Sequence, residues 1–299
     1  RLILVNTPSY KNADYIKNKE IYDQNIQEFH KRYIKLLSHR KKEFKFNISL
    51  IGFDGKVKNL FTMRDLNDAN AIGAFMKSGM RLLIVGGGYI GLEAAATARK
   101  FGVDVTLVEI EERILKRVAA KETSDYIRSL HISNGVKIKE AIGLDKLEIV
   151  GEKVVNASLT DGSDINVDFV IVGIGITPNT DLAEGANLKI NNGILINEKC
   201  QTSVSNIYAA GDCTSFKYKN TLVRLESVGN AIDQATTVAQ NIMKQNTSYT
   251  PKPWFWSDQY DLKLQIAGLN TGYDEVVVRK GESRQVSHWY YKGQSLLAV

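Results

Sequence analysis

The sequence predicts an α/β fold. Three observations carry the prediction. Apolar strands alternate with helical patterns from Leu82 to Val172. A glycine-rich turn, Gly86-Gly87-Gly88-Tyr89-Ile90-Gly91, joins the first of those strands to an Ala-rich helix. After Pro251 and Pro253 the chain changes to short strands, with Leu262, Leu264 and Ile266 at period two and apolar runs at Val276–Val278 and Trp289–Tyr291.

The elements follow in order. Leu2–Val5 reads as a short strand before Pro8. Tyr15, Tyr22, Ile26, Phe29, Tyr33 and Leu36/Leu37 then mark one face of an amphipathic helix, Asn12–Ser38. Lys31, Arg32, Lys35, Arg40, Lys41 and Lys42 make its end basic. Two readings are open: a core-packing helix with cations at its C-terminal dipole, or a basic surface for an acidic partner. Asp65–Met76 is a short helix. Leu82–Val85 is a strand, Ile90–Phe101 a helix, Val103–Glu109 a strand, Glu122–Ser133 a helix and Val136–Lys139 a strand. Leu147–Val150 and Val154–Leu159 form a hairpin turning at Gly151. Val167–Val172 is a buried strand, followed by short strands at Gly193–Ile196 and Ile207–Ala210 and a helix over Val228–Lys244.

Composition narrows the class. The chain has 299 residues, 43% apolar, 24% charged and 9% aromatic, which excludes disordered, collagenous and coiled-coil proteins. Its apolar runs are too short for a membrane span, which needs roughly 20 residues. The opening Arg1–Val5 lacks an initiator Met and has too short an apolar core for a signal peptide; a soluble chain, incomplete at its beginning, is expected. The net charge of +6 resides in residues 1–46, with 11 Lys/Arg against 5 Asp/Glu, while the remainder is neutral. A whole-molecule nucleic-acid role is therefore not expected. Cys200 and Cys213 form no C-x-x-C pair, and His30, His39, His131 and His288 show no metal-ligand spacing. No metal site is expected, and a reducing cytoplasmic setting follows.

The chemistry starts at the glycine turn. Gly86, Gly88 and Gly91 fit G-x-G-x-x-G between an apolar strand and a helix. Gly86 permits the tight turn, Gly88 lets a pyrophosphate touch the backbone, and Gly91 lets helix and strand approach. Tyr89 and Ile90 lie in the same loop-to-helix segment, whose N-terminus offers free N–H donors. The second strand ends in Glu109, 23 residues after Gly86, placed to accept both hydroxyls of an adenine ribose and to repel a 2′-phosphate. These features predict a three-layer Rossmann-like domain that binds NAD in preference to NADP. Gly173 and Gly175, at the end of a second buried strand, allow a ligand close to the backbone or make only a turn. Asp212, in Ala209-Ala210-Gly211-Asp212-Cys213, is an acceptor for a polyol hydroxyl or an Asx-turn residue. Glu93 is a first-turn acid that suits the helix dipole.

Taken together, Gly86–Glu93, Val172–Asn179, Ile207–Cys213, Arg224–Val228 and Pro253–Leu262 carry a resemblance. From about Asn47 to Val299 the chain resembles the FAD-dependent pyridine nucleotide-disulfide oxidoreductases, specifically the rubredoxin and ferredoxin reductases. The resemblance implies an NADH-dependent flavoprotein reductase that passes electrons through FAD to a ferredoxin or rubredoxin. It implies NAD at Gly86, Gly88, Gly91, Glu109 and Gly175, and Asp212 on the ribityl chain of FAD. Val228 falls at the flavin pyrimidine edge, Trp256 beside the flavin, and Glu93 near the nicotinamide, as the catalytic-site acid. It divides the chain into an unassigned strand and helix (1–46), a partial FAD-type domain (47–61 and 179–247), an NAD-binding domain (62–178) and a truncated α+β C-terminal reductase domain (248–299). The family opens on its own G-x-G-x-x-G for FAD; here no glycine precedes Gly52. That departure leaves an alternative expectation: an inactive or fragmentary NAD-binding module with an incomplete FAD site.

Overall fold

A computed structural model describes the backbone of Ile3–Val5 and, with side chains, residues 57–299. The helix expected over 12–38 lies outside the described residues. The first element, β1 (Ile3–Val5), matches the opening strand of the sequence reading.

The next stretch contains β2 (Leu60–Phe61), α1 (Leu66–Gly73), β3 (Arg81–Val85), α2 (Tyr89–Lys100), β4 (Asp104–Glu109), α3 (Lys121–Ser133), β5 (Lys137–Glu140), β6 (Leu144–Val150), β7 (Lys153–Leu159), β8 (Asp164–Asn166) and β9 (Phe169–Val172). Five of these strands make a parallel sheet in the order β2-β9-β3-β4-β5. A second, antiparallel sheet has the order β6-β7-β8. The β6-β7 hairpin is longer than the sequence pattern indicates, and β8 is an addition. Its Asp-Ile-Asn sequence has too little apolar content to register as a strand. Leu60–Phe61 pairs with β9 in the parallel sheet, so the nucleotide unit begins before residue 62.

The runs of apolar residues in these strands follow from burial on both faces. Leu82, Ile84, Val105, Leu107, Phe169 and Ile171 point to the helical layer and meet Leu92, Ala95, Ala98 and Ile127. Leu83, Val85, Val108, Val170 and Val172 point the other way and meet Leu147, Val154, Ala157 and Leu159 of the antiparallel sheet. The result is three layers: helices, parallel sheet, antiparallel sheet. Asn59, 2% exposed, ties the layers together. Its Nδ2 donates to the carbonyls of Val154 and Asp168, each at 2.8 Å, and its Oδ1 accepts from Val154 N–H at 2.8 Å.

The following residues form α4 (Asp181–Gly185), β10 (Ile194–Leu195), β11 (Tyr208–Ala210), β12 (Thr214–Tyr218), β13 (Thr221–Val223) and α5 (Val228–Ile242) around a separate core of Ile194, Ala209, Phe216, Leu225 and Val238. β1 lies parallel to β11, Ile3 opposite Tyr208 and Val5 opposite Ala210. Ser227 caps α5, its hydroxyl accepting from Asn230 N–H at 3.3 Å.

The last part contains β14 (Trp254–Gln259), β15 (Leu262–Ala267), β16 (Glu275–Lys280), β17 (Val286–Lys292) and β18 (Ser295–Ala298). β14-β15 is a hairpin and β16-β17-β18 an antiparallel sheet, linked by a bridge from Gly268 to Ala298. This unit is antiparallel β: residues 254–299 hold strands and turns and no helix. β14 packs against both α2 and α5, so it joins the nucleotide layer to the neighbouring core.

Candidate dinucleotide and redox site

β3 and β9 are adjacent, and from β3 the chain runs through α2 to β4, on the side of β3 away from β9. Their carboxyl ends therefore flank a crevice at the topological switch point of the sheet. Gly86 and Gly173 meet there. Gly86 has φ +110°, and a Cβ on it would lie 2.4 Å from the Gly173 carbonyl oxygen. A Cβ on Gly91 would lie 2.1 Å from the Gly86 carbonyl oxygen, which explains the glycine at the first turn of α2. Gly88 differs. It is the N-cap of α2, with extended backbone and nothing within 4 Å of a Cβ placed on it. Gly88 thus leaves open space beside the helix N-terminus, where unpaired N–H groups attract an anion. Gly175, at φ +112°, is similarly open; the guanidinium of Arg117 stands 3.9 Å from its would-be Cβ.

Glu109 stands at the end of β4, as the motif spacing requires, and it also braces the turn. Its Oε2 accepts from Gly87 N–H at 2.7 Å and its Oε1 from Glu111 N–H at 2.9 Å. Each oxygen keeps a second lone pair for another donor. Arg113 and Lys116 are occupied elsewhere: Arg113 donates to Ser124 Oγ at 2.5 Å, and Lys116 pairs with Glu111 and Glu112. Ile90 is exposed at the first turn of α2. Tyr89 packs edge-on against Phe255 of β14 with ring centroids 5.0 Å apart, and its buried hydroxyl has no hydrogen-bond partner among the described residues.

One turn into α2, the partly buried Glu93 accepts at Oε1 from the Ser257 hydroxyl of β14 at 2.5 Å. Burial pushes its pKa up; the Ser257 hydroxyl and the Asp258 N–H draw it down, and the Asp258 carboxylate opposes them. Trp256 precedes Ser257 and stacks at 33° on Trp254, with centroids 5.1 Å apart. β14 thereby brings Ser257 to Glu93, while Trp256, the preceding residue of the strand, faces the other side with Trp254.

Asp212 lies after β11. Burial pushes its pKa up, Glu226 adds to the rise, and Arg64 and Arg224 oppose it. Arg224 Nε and Gln234 Nε2 are buried with no hydrogen-bond partner among the described residues. Gln234 Oε1 is occupied, accepting from Gly211 N–H at 2.7 Å and Thr214 Oγ1 at 2.9 Å. Val228 is the first residue of α5, beside the cap.

Ser257 and Gln259 carry no mark of their own in the sequence, and His131 stands there as one of four scattered histidines. Ser257 and Gln259 are two apart in β14 and so share one face, but with Asp258 between them the sequence is polar at all three positions and carries no period-two signal. Among the described residues no group of His, Cys, Asp and Glu is arranged to hold a metal.

A parallel sheet with a glycine turn at its switch point defines a Rossmann-type dinucleotide-binding fold. More particularly, the chain belongs to the pyridine nucleotide-disulphide oxidoreductase family: residues 44–235 match that family's profile, and residues 254–299 match the reductase C-terminal profile. It is 44% identical over 229 residues to the 5,5'-dehydrodivanillate O-demethylase ferredoxin reductase subunit of a Sphingobium species, covering 75% of this chain and 56% of that protein. It is 40% identical over 253 residues to putidaredoxin reductase of Pseudomonas putida, covering 83% and 60%. The crystal structure of a covalent putidaredoxin reductase–putidaredoxin complex superposes with a TM-score of 0.78 at 40% identity, covering 82% of this chain and 60% of that one. The chain thus spans less than two thirds of the length of these relatives.

Proposed function

We propose that this chain supplies the NADH-binding and electron-transfer part of a flavoprotein reductase whose acceptor is a ferredoxin or rubredoxin. The observation that carries the proposal is the junction at β14: Glu93, one turn from the phosphate-type turn, is hydrogen-bonded to the residue that follows Trp256. The two family-matched segments are therefore in direct contact beside the glycine turn. The names of the relatives, ferredoxin reductase subunit and putidaredoxin reductase, support the same reading.

In this reading the α2 N-terminus and Gly88 hold the pyrophosphate, Gly86 and Gly91 keep the turn tight, and Glu109 anchors the adenine ribose. Gly173 and Gly175 line the opposite lip, and Tyr89 and Ile90 flank the entry. Glu93 orients the nicotinamide end. Asp212, Val228 and the unpartnered Arg224 and Gln234 groups suit a polyhydroxylated, heteroaromatic cofactor, with Trp256 beside it; these residues fit FAD. Held there, FAD would supply the means of converting a two-electron hydride donor into single-electron transfers. No nucleophilic cysteine is needed: Cys200 and Cys213 are free, and burial pushes both thiols up, Cys200 to about 12. Among the described residues no helix is long and apolar enough to cross a membrane; we place the reaction in the cytoplasm, where unpaired thiols persist.

The test is spectroscopic. The chain is incubated with FAD, desalted, and titrated with NADH under anaerobic conditions. Retained yellow absorbance that NADH removes and an added ferredoxin restores supports the proposal. A colourless chain that still binds NADH overturns it in favour of an NAD-binding module.

A further inference from the structure

A polar chain crosses the interior behind Glu93. Ser257, Gln259 and His131 are 1%, 0% and 0% exposed. Ser257 Oγ lies 2.5 Å from Glu93 Oε1 and 3.0 Å from Gln259 Nε2. Gln259 Oε1 lies 2.8 Å from His131 Nε2, and His131 Nδ1 lies 3.2 Å from the Tyr260 hydroxyl. The chain connects α2, β14 and α3 and ends in the turn after β14.

Its sense follows from donor arithmetic. An amide nitrogen only donates, so Ser257 Oγ accepts from Gln259, and the single Ser257 hydrogen goes to Glu93. The amide oxygen only accepts, so His131 carries its proton on Nε2. The neutral ring then accepts at Nδ1 from Tyr260. Every donor points toward Glu93, an arrangement that favours a negative charge at that end. The opposite sense, with the amide reversed, turns the Ser257 hydrogen away and requires Glu93 itself to hold a proton.

We propose that Ser257, Gln259 and His131 are positioning residues that keep the Glu93 carboxylate ionised and fixed in one rotamer at the crevice. The consequence for the nicotinamide rests on the proposed placement of NADH; the ionisation of Glu93 does not. A negative carboxylate accepts hydrogen bonds and cannot donate them, so it selects the amide N–H side of a carboxamide. The charged neighbour facing Glu93 from β14 is Asp258, which opposes ionisation, as does burial. At the far end, Arg99 of α2 acts on Tyr260, and Lys100 Nζ approaches the Tyr260 carbonyl at 3.4 Å. Burial also holds His131 below its ordinary pKa, in agreement with a neutral ring.

The test separates the two layers of the argument. The chain is labelled with carboxyl-¹³C glutamate, and the Glu93 resonance is identified by its loss in Glu93→Gln. Its pH titration without nucleotide reads the chain itself. Ser257→Ala removes one charge-assisted bond, so the Glu93 midpoint rises by about one to two pH units. His131→Leu raises it by less, because the effect passes through Gln259, while Ser257→Thr, which keeps the hydroxyl, leaves it in place. A midpoint unchanged in Ser257→Ala, or a wild-type Glu93 that stays protonated at neutral pH, overturns the proposal. NADH titration of the same variants reads the second layer. A shifted midpoint with unchanged NADH affinity leaves the chain's role intact and refutes the placement of Glu93 beside the nicotinamide.

Discussion

Alanine at Gly91 and alanine at Gly88 separate what the glycine turn does for the fold from what it does for a ligand. At Gly91 the new methyl group would lie 2.1 Å from the Gly86 carbonyl oxygen and 3.3 Å from Ile84 Cγ2. Ordinary contact begins near 3.4 Å, so α2 must retreat from β3 by more than 1 Å. The obstacle is backbone and cannot rotate away. Overpacking of this kind costs about 3 kcal/mol, the upper part of the usual range. At about 2–4 °C per kcal/mol for a unit of this size, the melting temperature falls by about 6–12 °C. At Gly88 the methyl group meets nothing, and φ of −80° suits any residue. Stability there changes by less than about 1 kcal/mol, the scale of an N-cap replacement. The methyl group nevertheless fills the space a pyrophosphate needs, so NADH affinity falls at least about tenfold, or 1.4 kcal/mol. Thermal unfolding followed by circular dichroism measures the first effect, and titration of nucleotide fluorescence the second. A Gly91→Ala chain that melts with the wild type, or a Gly88→Ala chain that binds NADH normally, would refute the division of roles.

Four further outcomes are expected. Glu109→Ala weakens NADH more than NADPH, reducing a wild-type preference of about tenfold to a hundredfold, since each lost charge-assisted bond is worth about 1.5–3 kcal/mol; titration with both nucleotides checks it, and an equal loss for the two would mean that Glu109 only braces Gly87 and Glu111. Asn59→Ala removes two buried and one partly buried hydrogen bond and leaves Val154 and Asp168 backbone groups without this partner, so urea unfolding should show a loss of about 3 kcal/mol. Burial lowers the His131 pKa below its ordinary 6.5. The unfolded chain therefore takes up this proton first, and stability falls as pH drops below about 6.5; His131→Gln should flatten that acid limb, and an unaltered limb would count against a neutral buried ring. Cys200, fully buried with its thiol pushed up to about 12, should resist alkylation in the native protein and react at once in denaturant, as followed by mass spectrometry.

The glycine turn, the strand before it, the helix after it and the acid at the end of β4 were all legible in the sequence. Their signals are local: a run of Leu82–Val85, three glycines at fixed offsets and a carboxylate one strand later each answer to backbone geometry within a few residues. The three-layer arrangement was legible for a related reason, because strands buried on both faces must be continuously apolar. Tertiary structure decided the rest. The order β2-β9-β3-β4-β5, which sets Gly173 against Gly86, depends on pairings between residues more than 80 apart. β8 exists because β7 offers it an edge, and its own Asp-Ile-Asn composition does not call for a strand. The fold also gave Glu109 a second task, since only the close return of the turn brings Gly87 N–H to its carboxylate. His131 read as one of four scattered histidines. It became part of a buried chain when packing of α3 against β14 placed Gln259 at 2.8 Å. A side chain's chemistry is written in the sequence, but its partners are chosen by packing, because a hydrogen bond between distant residues forms only where the layers bring donor and acceptor within about 3 Å of each other.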